Sequence, residues 1–241
     1  MSIAASMQHG SEAKKTMDNT AINKNMTTQT QQNTQKKQPD ERGSFHVQGH
    51  IKIFDPETKQ VFVDKRNAIH YENMSESIAQ MLSNKGTGFI YQMWFGNGGT
   101  TVDPTGVITY LPTNTNVQNA DLYNPTYSKI VDDTNATNGD PLRNKITVNH
   151  TPGQIYTDIL VSCLLDYGEP SGQAVFDNSQ DLNGEYVFDE LGLKGYDLST
   201  QSTGKLLTHV IFSPVQKSLN RLIQIDYTVR IQTLTNLSTT A

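Results

Sequence analysis

The sequence predicts a mainly β protein: an antiparallel β-sandwich-like body with one short α-helix and a long polar N-terminal arm. Three observations support this fold class. Residues 1–44 contain no aromatic residue, whereas all 19 Phe, Trp and Tyr residues lie between Phe45 and Tyr227. Apolar and polar residues alternate along several later segments, as they do in half-buried strands. Helical periods do not separate these segments regularly, which argues against a parallel α/β sheet.

The arm, residues 1–44, is rich in Lys, Asn, Thr and Gln. Its few apolar side chains cannot offset the backbone entropy lost on ordering, about 1–2 kcal/mol per residue, so we expect no independent fold there. Six basic and four acidic residues give it a charge of +2, which leaves −7 on the rest of a chain of net charge −5. The composition is compatible with a solvated tail and with an arm that lies against a neighbouring copy of the acidic body.

The body, residues 45–241, is predicted to begin with a β-hairpin followed by a helix. Apolar and polar residues alternate over 47–53, and Asp55–Lys59 has turn-forming residues before a second strand at Val61–Asp64. Asn73 is predicted to cap the helix, because Glu76 follows three residues later and apolar residues then recur at helical spacing.

The remainder of the body is predicted to contain five further strands and one long insertion. Phe89–Phe95 is predicted to form a buried strand that stops at Gly96–Gly99, a turn for which we expect positive backbone dihedrals. Residues 100–150 are predicted to be a loop-rich insertion with one or two small strands, a length that usually serves contacts. The other four strands are predicted at residues 155–165, 185–191, 205–212 and 219–233.

Candidate chemical residues are sparse, and we predict no catalytic, cofactor-binding or metal-binding residues and no enzymatic activity. His46 and His50 lie four apart on a predicted strand, which places them about 13 Å apart on one face, too far to bind one metal ion. The adjacent carboxylates Asp132–Asp133 and Asp189–Glu190 are interpreted as solvated groups whose side chains point to opposite faces.

Two further features have an ordinary structural interpretation. Gly96–Gly99 follows a strand but lacks the Gly-Lys-Ser or Gly-Lys-Thr of a phosphate-binding loop. Cys163 lies in the apolar run Ile159–Leu165 and is predicted to be a buried, unreactive thiol. As the single cysteine, it excludes an intrachain disulfide framework and a Cys-rich zinc module.

Charge and hydropathy exclude two classes of partner. The net charge of −5 and a pI near 5.6 argue against direct nucleic-acid binding, which relies on clustered Lys and Arg. No apolar run reaches the length of a secretory signal or a membrane span, so we expect a soluble protein without a membrane partner.

Two stretches resemble virion structural proteins of tailed bacteriophages. The first comprises Ile51–His70 with Glu72–Gln80 and the Phe95–Gly99 turn; the second comprises Phe188–Leu193 with Leu206–Phe212 and the closing amphipathic strand. The resemblance implies a non-enzymatic, homo-oligomeric virion subunit in a symmetric ring, first of all a neck or collar protein. Its expected partners are portal, neck, tail or fibre proteins. A tail, baseplate, fibre-attachment or capsid decoration protein is the alternative.

A carbohydrate-binding β-sandwich on a tail or decoration surface is a second hypothesis. It is suggested by aromatic residues in or near predicted loops, since rings of this kind stack on sugars. Such residues more often belong to a core or an interface. The five residues are Tyr91, Trp94, Tyr110, Tyr123 and Tyr127.

Overall fold

The computed structural model describes residues 43–170 and 185–235. The fold is mainly β, as predicted, with eleven strands and one helix in the described ranges. The predicted arm lies outside them up to residue 42, and its last two residues belong to the first strand. The elements are β1 (Gly43–Phe54), β2 (Val61–Ile69), α1 (Tyr71–Leu82), β3 (Ile90–Gly96), β4 (Thr100–Val102), β5 (Ile108–Tyr110), β6 (Pro125–Ile130), β7 (Lys145–His150), β8 (Tyr156–Leu165), β9 (Glu185–Asp197), β10 (Ser202–Ser218) and β11 (Ile223–Thr235).

Nine strands form one antiparallel sheet in the order β6-β3-β9-β10-β2-β1-β11-β8-β7, and β4 pairs with β5 in a separate hairpin. The sheet curls into two layers because β2 takes part in both. Its first part pairs with β1 as far as Asn67, whereas Ala68 and Ile69 pair with β10. We name the layer β2-β1-β11-β8-β7 sheet A and the layer β6-β3-β9-β10 sheet B. This arrangement is the predicted sandwich-like body.

The core lies between the two sheets. Alternate residues of β11, from Ile223 to Val229, are buried, and they pair with buried residues of β1 and β8. In sheet B, the ring of Phe188 packs edge-on against Phe95 and Phe212, with centroid distances of 5.5 and 5.7 Å. Each large apolar side chain buried in this way contributes about 1.5–3 kcal/mol.

The first hairpin and the helix are both present, but the helix begins earlier than predicted. His70 is the N-cap, and its Nδ1 accepts a hydrogen bond from the Asn73 N–H at 3.2 Å. The prediction of Asn73 as the cap was wrong. The buried Asn73 Nδ2 instead donates to the carbonyl oxygens of Gln118 and Leu206, at 3.1 and 2.8 Å. The Asn73 side chain, which the local pattern predicted to cap the helix, therefore forms tertiary hydrogen bonds instead.

The segment predicted to be a loop-rich insertion, residues 100–150, contains four strands, not one or two. β6 pairs with β3 and β7 pairs with β8, so these two strands form the outer edges of the nine-stranded sheet. Nearly all their side chains are exposed or half-buried. Such edge strands need no regular alternation of apolar and polar residues, so they could not be recognised from the sequence pattern.

The glycines of residues 96–99 serve close packing. Positive φ was expected there, but Gly96, Gly98 and Gly99 all have ordinary φ values. A Cβ on Gly98 would lie 2.8 Å from the Asn124 nitrogen, and one on Gly99 would lie 2.9 Å from a methyl group of Ile211. The predicted turn was therefore wrong in its conformation, and glycine is needed because neighbouring chain approaches too closely for a side chain.

Candidate functional site

The two outer faces of the sandwich differ. Residues 97–124, which we name the covering loop, pack on the outer face of sheet B, where Ala120 and Leu122 form an apolar cluster with Leu206 and Trp94. On the outer face of sheet A, polar side chains such as those of His50 and Lys52 alternate with the buried residues of β1. His50 and Lys52 are exposed on this second face. The candidate functional surfaces are therefore the polar face of sheet A and the outside of the covering loop.

A buried carboxylate in sheet B fixes the covering loop. Glu190 is fully buried. Its Oε1 accepts hydrogen bonds from the N–H groups of Gly98 and Asn124, at 3.1 and 2.8 Å. Its Oε2 accepts from the Tyr123 N–H at 2.9 Å and from His209 Nε2 at 3.0 Å. One side chain thus joins the beginning and the end of the covering loop to β9 and β10.

The neighbouring Asp189 fixes the next part of the same loop. It is 3% exposed, and its oxygens accept hydrogen bonds from the N–H groups of Gly99 and Thr100, at 2.9 and 2.8 Å. The interpretation of Asp189–Glu190 as solvated carboxylates was wrong. The covering loop crosses β9 at this point, so both side chains meet main-chain donors of the loop.

His209 completes the buried cluster. Its Nδ1 accepts a hydrogen bond from the Asn114 N–H at 2.8 Å, so Nε2 carries the proton that it shares with Glu190. A histidine beside a carboxylate is also the arrangement of an acid–base pair in catalysis. Here both ring nitrogens are engaged inside the protein. The pair is therefore suited to holding the covering loop rather than to moving a proton to a substrate.

The two carboxyl groups have opposite pKa shifts. Burial opposes ionisation of Glu190, but hydrogen bonds from His209, Asn124 and Tyr123 outweigh it and hold the pKa below its ordinary value. Burial raises the pKa of Asp189 despite its hydrogen bonds to Thr100 and Gly99. The extra donors, one of them from a histidine side chain, account for the stronger stabilisation of the Glu190 charge.

Lys194 binds the covering loop at a second place. Its side chain is 8% exposed, and Nζ lies 2.7 Å from a carboxylate oxygen of Asp121. The same Nζ lies 3.9 Å from the centre of the Trp94 ring, within the range of a cation–π interaction. Loop, sheet and ring are thus connected through one ammonium group.

Glu190, His209 and Lys194 were not predicted from the sequence as positioning residues. A signal was present for the first two. Glu190 lies between the apolar residues Phe188 and Leu191 of β9, and His209 lies within the largely apolar segment Leu206–Phe212 of β10. Because a charged or polar residue inside a buried strand needs a partner, this placement indicates an internal hydrogen-bond network.

The two predicted strand histidines lie on the outer face of sheet A. His50 Nε2 lies 2.8 Å from Asp64 Oδ1 on the adjacent strand, and His46 is exposed opposite Gln232. The structure does not bring the two histidines together with other ligands. Within the described ranges, no group of three or more His, Cys, Asp or Glu residues could hold a metal ion.

The other two features noted in the sequence, Asp132–Asp133 and Cys163, are separate from the cluster of Glu190 and His209. Asp132 is 7% exposed and accepts hydrogen bonds from the N–H and hydroxyl of Thr134, whereas the exposed Asp133 accepts one from the Ile146 N–H. Asp132 therefore does not fit the solvated interpretation. Cys163 is fully buried in the core, as predicted, and burial raises the pKa of its thiol to about 12.

The five aromatic residues of the carbohydrate hypothesis do not form one exposed platform. Tyr91 is buried against Tyr196, and Trp94 packs under the covering loop. Tyr127 is half-buried beside the core residue Phe95. The remaining two, Tyr110 and Tyr123, are exposed by 49% and 41%, and their hydroxyls bond to Ser213 and to the Pro112 carbonyl.

A charged cleft of about 420 Å³ lies between β6, the segment 137–144 and the end of β8. Its charges are paired with one another: Lys129 Nζ lies 2.6 Å from Glu169, and Arg143 lies 2.6 Å from Asp166. Nearby, the fully buried Lys217 donates two hydrogen bonds of 2.9 Å to the carbonyl oxygens of Asp166 and Ser218.

Because of Lys217, the stability of the body is expected to increase with pH in the alkaline range. Burial lowers its pKa from 10.5 to about 8, although Glu169 and Asp166 oppose this shift. Between these two values the unfolded chain binds more protons, so stability rises with pH there. From pH 7 to 9 the rise from this group is about 1 kcal/mol. Urea unfolding at both pH values checks it, and Lys217→Met is expected to remove that increment; an equal increment in both proteins would contradict the assignment.

Comparison of the chain with protein families, with curated proteins and with solved structures finds no match in any of the three. No helix in the described part of the chain is long and apolar enough to cross a membrane.

Proposed function

We propose that this protein is a non-enzymatic structural subunit of a tailed-bacteriophage virion, in first place a neck or collar component at the head-to-tail connection. In this proposal the subunit assembles as a symmetric ring and contacts its neighbours through the N-terminal arm. Portal, neck, tail or fibre proteins are its other partners. The resemblance of Ile51–His70 and Phe188–Leu193 to such proteins supports the class.

The difference between the two outer faces carries the proposal. The covering loop closes one face of the body. The face of sheet A is polar, and some of its side chains contact one another within the chain, as in His50–Asp64 at 2.8 Å and the ion pair Arg230–Asp158 at 2.7 Å. A polar face of this kind suits contact with neighbouring subunits, because interfaces between separately folded proteins are about as polar as ordinary surface.

The use of the buried polar groups supports a structural role. Glu190, His209 and Lys194 bind the covering loop to sheet B, and Lys217 joins the end of β10 to the Asp166 carbonyl. Each of them is engaged with groups of the same chain. In ring assemblies, successive subunits make head-to-tail contacts that close by rotation, and arms enlarge these contacts beyond what a small body buries.

Particles purified from cells that carry the encoding genome test this proposal. We expect quantitative mass spectrometry to find the chain at a constant copy number per particle, and a label fused after residue 241 to appear at the head-to-tail junction in electron micrographs. A label on the tail tip or the capsid surface would instead support the alternative of a tail, baseplate, fibre-attachment or capsid decoration protein. Absence of the chain from purified particles would overturn the proposal.

A further inference from the structure

Part of β1 has an open edge. On one side, β11 pairs with β1 along its whole length, from Gly43 to Phe54. On the other side, β2 pairs only from Gly49 onward, because β2 then leaves sheet A to join β10. No backbone group in the described ranges pairs with the second side of Gly43–Gln48. This segment therefore presents unpaired N–H and C=O groups, which we name the β1 edge.

The β1 edge lacks the Pro and charged residues that usually protect an exposed strand, and its first four residues, Gly43–His46, are exposed, whereas Val47 packs against the cluster of Ile69, Met74 and Leu207. Natural edge strands are blunted by Pro, by Lys or by other charged residues. The outermost strands follow this rule: β6 begins with Pro125 and contains Lys129, and β7 begins with Lys145. The sequence Gly-Ser-Phe-His-Val-Gln of the β1 edge contains neither Pro nor an Asp, Glu, Lys or Arg residue. It also exposes Phe45 by 67%.

An unprotected edge beside an exposed aromatic ring fits an added strand. The added strand would form main-chain hydrogen bonds with the edge, and alternate side chains would cover the ring. A suitable strand needs β-compatible residues without Pro or Gly, together with some apolar groups. In this chain, residues 22–38 contain Ile22, Met26 and four threonines, and they contain neither Pro nor Gly.

Reach and charge favour the arm of a neighbouring copy. Forty residues of extended chain span about 140 Å, whereas a body of about 200 residues is only about 40 Å across. An extended segment of this length is therefore long enough to reach a neighbouring subunit. The arm's charge of +2 also favours contact with a second acidic body over free solution.

We propose that the β1 edge, Gly43–Gln48, is the acceptor for residues 22–38 of a neighbouring copy, which add to sheet A as a further strand and cover Phe45. The arm would thus connect successive subunits through β-strand addition. This inference rests on the proposed arm-mediated assembly and names the surface on which the arm binds.

Photo-crosslinking of the full chain tests this acceptor. The substitution Phe45→p-benzoylphenylalanine places a reactive ring of similar shape at the edge, and the same substitution at Tyr110, an exposed ring on β5, is the matched control. We mix chains of natural isotopic composition with ¹⁵N-labelled chains before irradiation. We expect crosslinks from position 45 to residues 22–38 in peptide pairs of mixed isotopic composition, and at least tenfold fewer from position 110.

Crosslinks from position 45 to the arm within one chain only, or to no residue of the arm, would overturn the proposal. A second variant, Phe45→Lys, adds the charge that protects natural edges and is expected to weaken self-association at least tenfold while leaving urea unfolding of the separated chain unchanged. Unchanged association would also overturn it. This outcome can be distinguished from that of the particle test. If the protein is absent from virions but forms crosslinks between differently labelled chains, only the virion role is rejected. If it is present in virions but forms no such crosslinks, only the β1 edge as acceptor is rejected.

Discussion

Replacement of Glu190 by Ala is expected to lower the free energy of unfolding by about 3–5 kcal/mol. The carboxylate accepts hydrogen bonds from three main-chain N–H groups and from His209. Its removal leaves the buried His209 Nε2 and three part-buried main-chain N–H groups without this acceptor, and each such loss is costly. The covering loop is then held chiefly by Asp189 and Lys194. Urea unfolding of the wild-type and variant proteins, followed by circular dichroism, measures the difference.

Two further variants make this prediction specific. Glu190→Gln keeps the volume and one acceptor oxygen, so we expect a smaller loss of about 1–3 kcal/mol. Glu72→Gln, an exposed carboxylate in the first turn of α1, should change stability by less than about 0.5 kcal/mol. If Glu190→Ala cost no more than Glu72→Gln, the covering loop would not depend on the buried cluster.

Acid should weaken the same cluster. The hydrogen bonds hold the pKa of Glu190 below its ordinary value of 4.5, so its charge stabilises the folded protein above that pH, and this contribution is lost as the pH falls through the folded pKa. Asp189 acts in the opposite direction, because burial raises its pKa and protonation favours the folded form. Glu190→Gln should therefore reduce the loss of stability in acid relative to the wild-type protein.

Replacement of Phe188 by Ala is expected to cost about 3–5 kcal/mol. Its ring is fully buried and packs edge-on against Phe95 and Phe212, which lie on the two strands beside β9. The cavity left by the ring would open at the centre of sheet B, where three neighbouring strands meet. Thermal and urea unfolding measure the loss.

Phe45→Ala is the matched control, because the same side chain is removed from an exposed position in β1. We expect a change of less than about 0.5 kcal/mol in the separated chain. Equal costs for Phe188→Ala and Phe45→Ala would contradict the placement of the core between the two sheets. A cost for Phe45→Ala that appears only in the assembled protein would agree with a covered β1 edge.

Strands with a clear pattern could be predicted from the sequence, because burial on one face imposes alternation. The best case is β11, where buried residues alternate with half-buried ones from Ile223 to Arg230. The edge strands β6 and β7 could not be predicted in this way, since most of their side chains meet solvent. The helix cap was misplaced because Asn73 bonds to distant carbonyls, which no local pattern reveals.

The candidate site was harder to predict than the fold. The pair Asp189–Glu190 was interpreted from the sequence as solvated, because its burial depends on the covering loop, which lies more than sixty residues earlier in the chain. His209 joins the cluster only because β10 pairs beside β9. The open β1 edge arises where β2 changes partners, and nothing in the composition of Gly43–Gln48 marks that point. These features follow from long-range pairing and therefore require the structure.

Sedimentation velocity of the full chain and of residues 43–241, across a hundredfold range of concentration, tests whether the protein assembles through its arm. We expect the full chain to form one closed oligomer of defined mass, and the chain without the arm to sediment as a folded monomer with unchanged circular dichroism. A full chain that remains monomeric at the highest concentration, or an armless chain that forms the same oligomer, would contradict assembly through the arm.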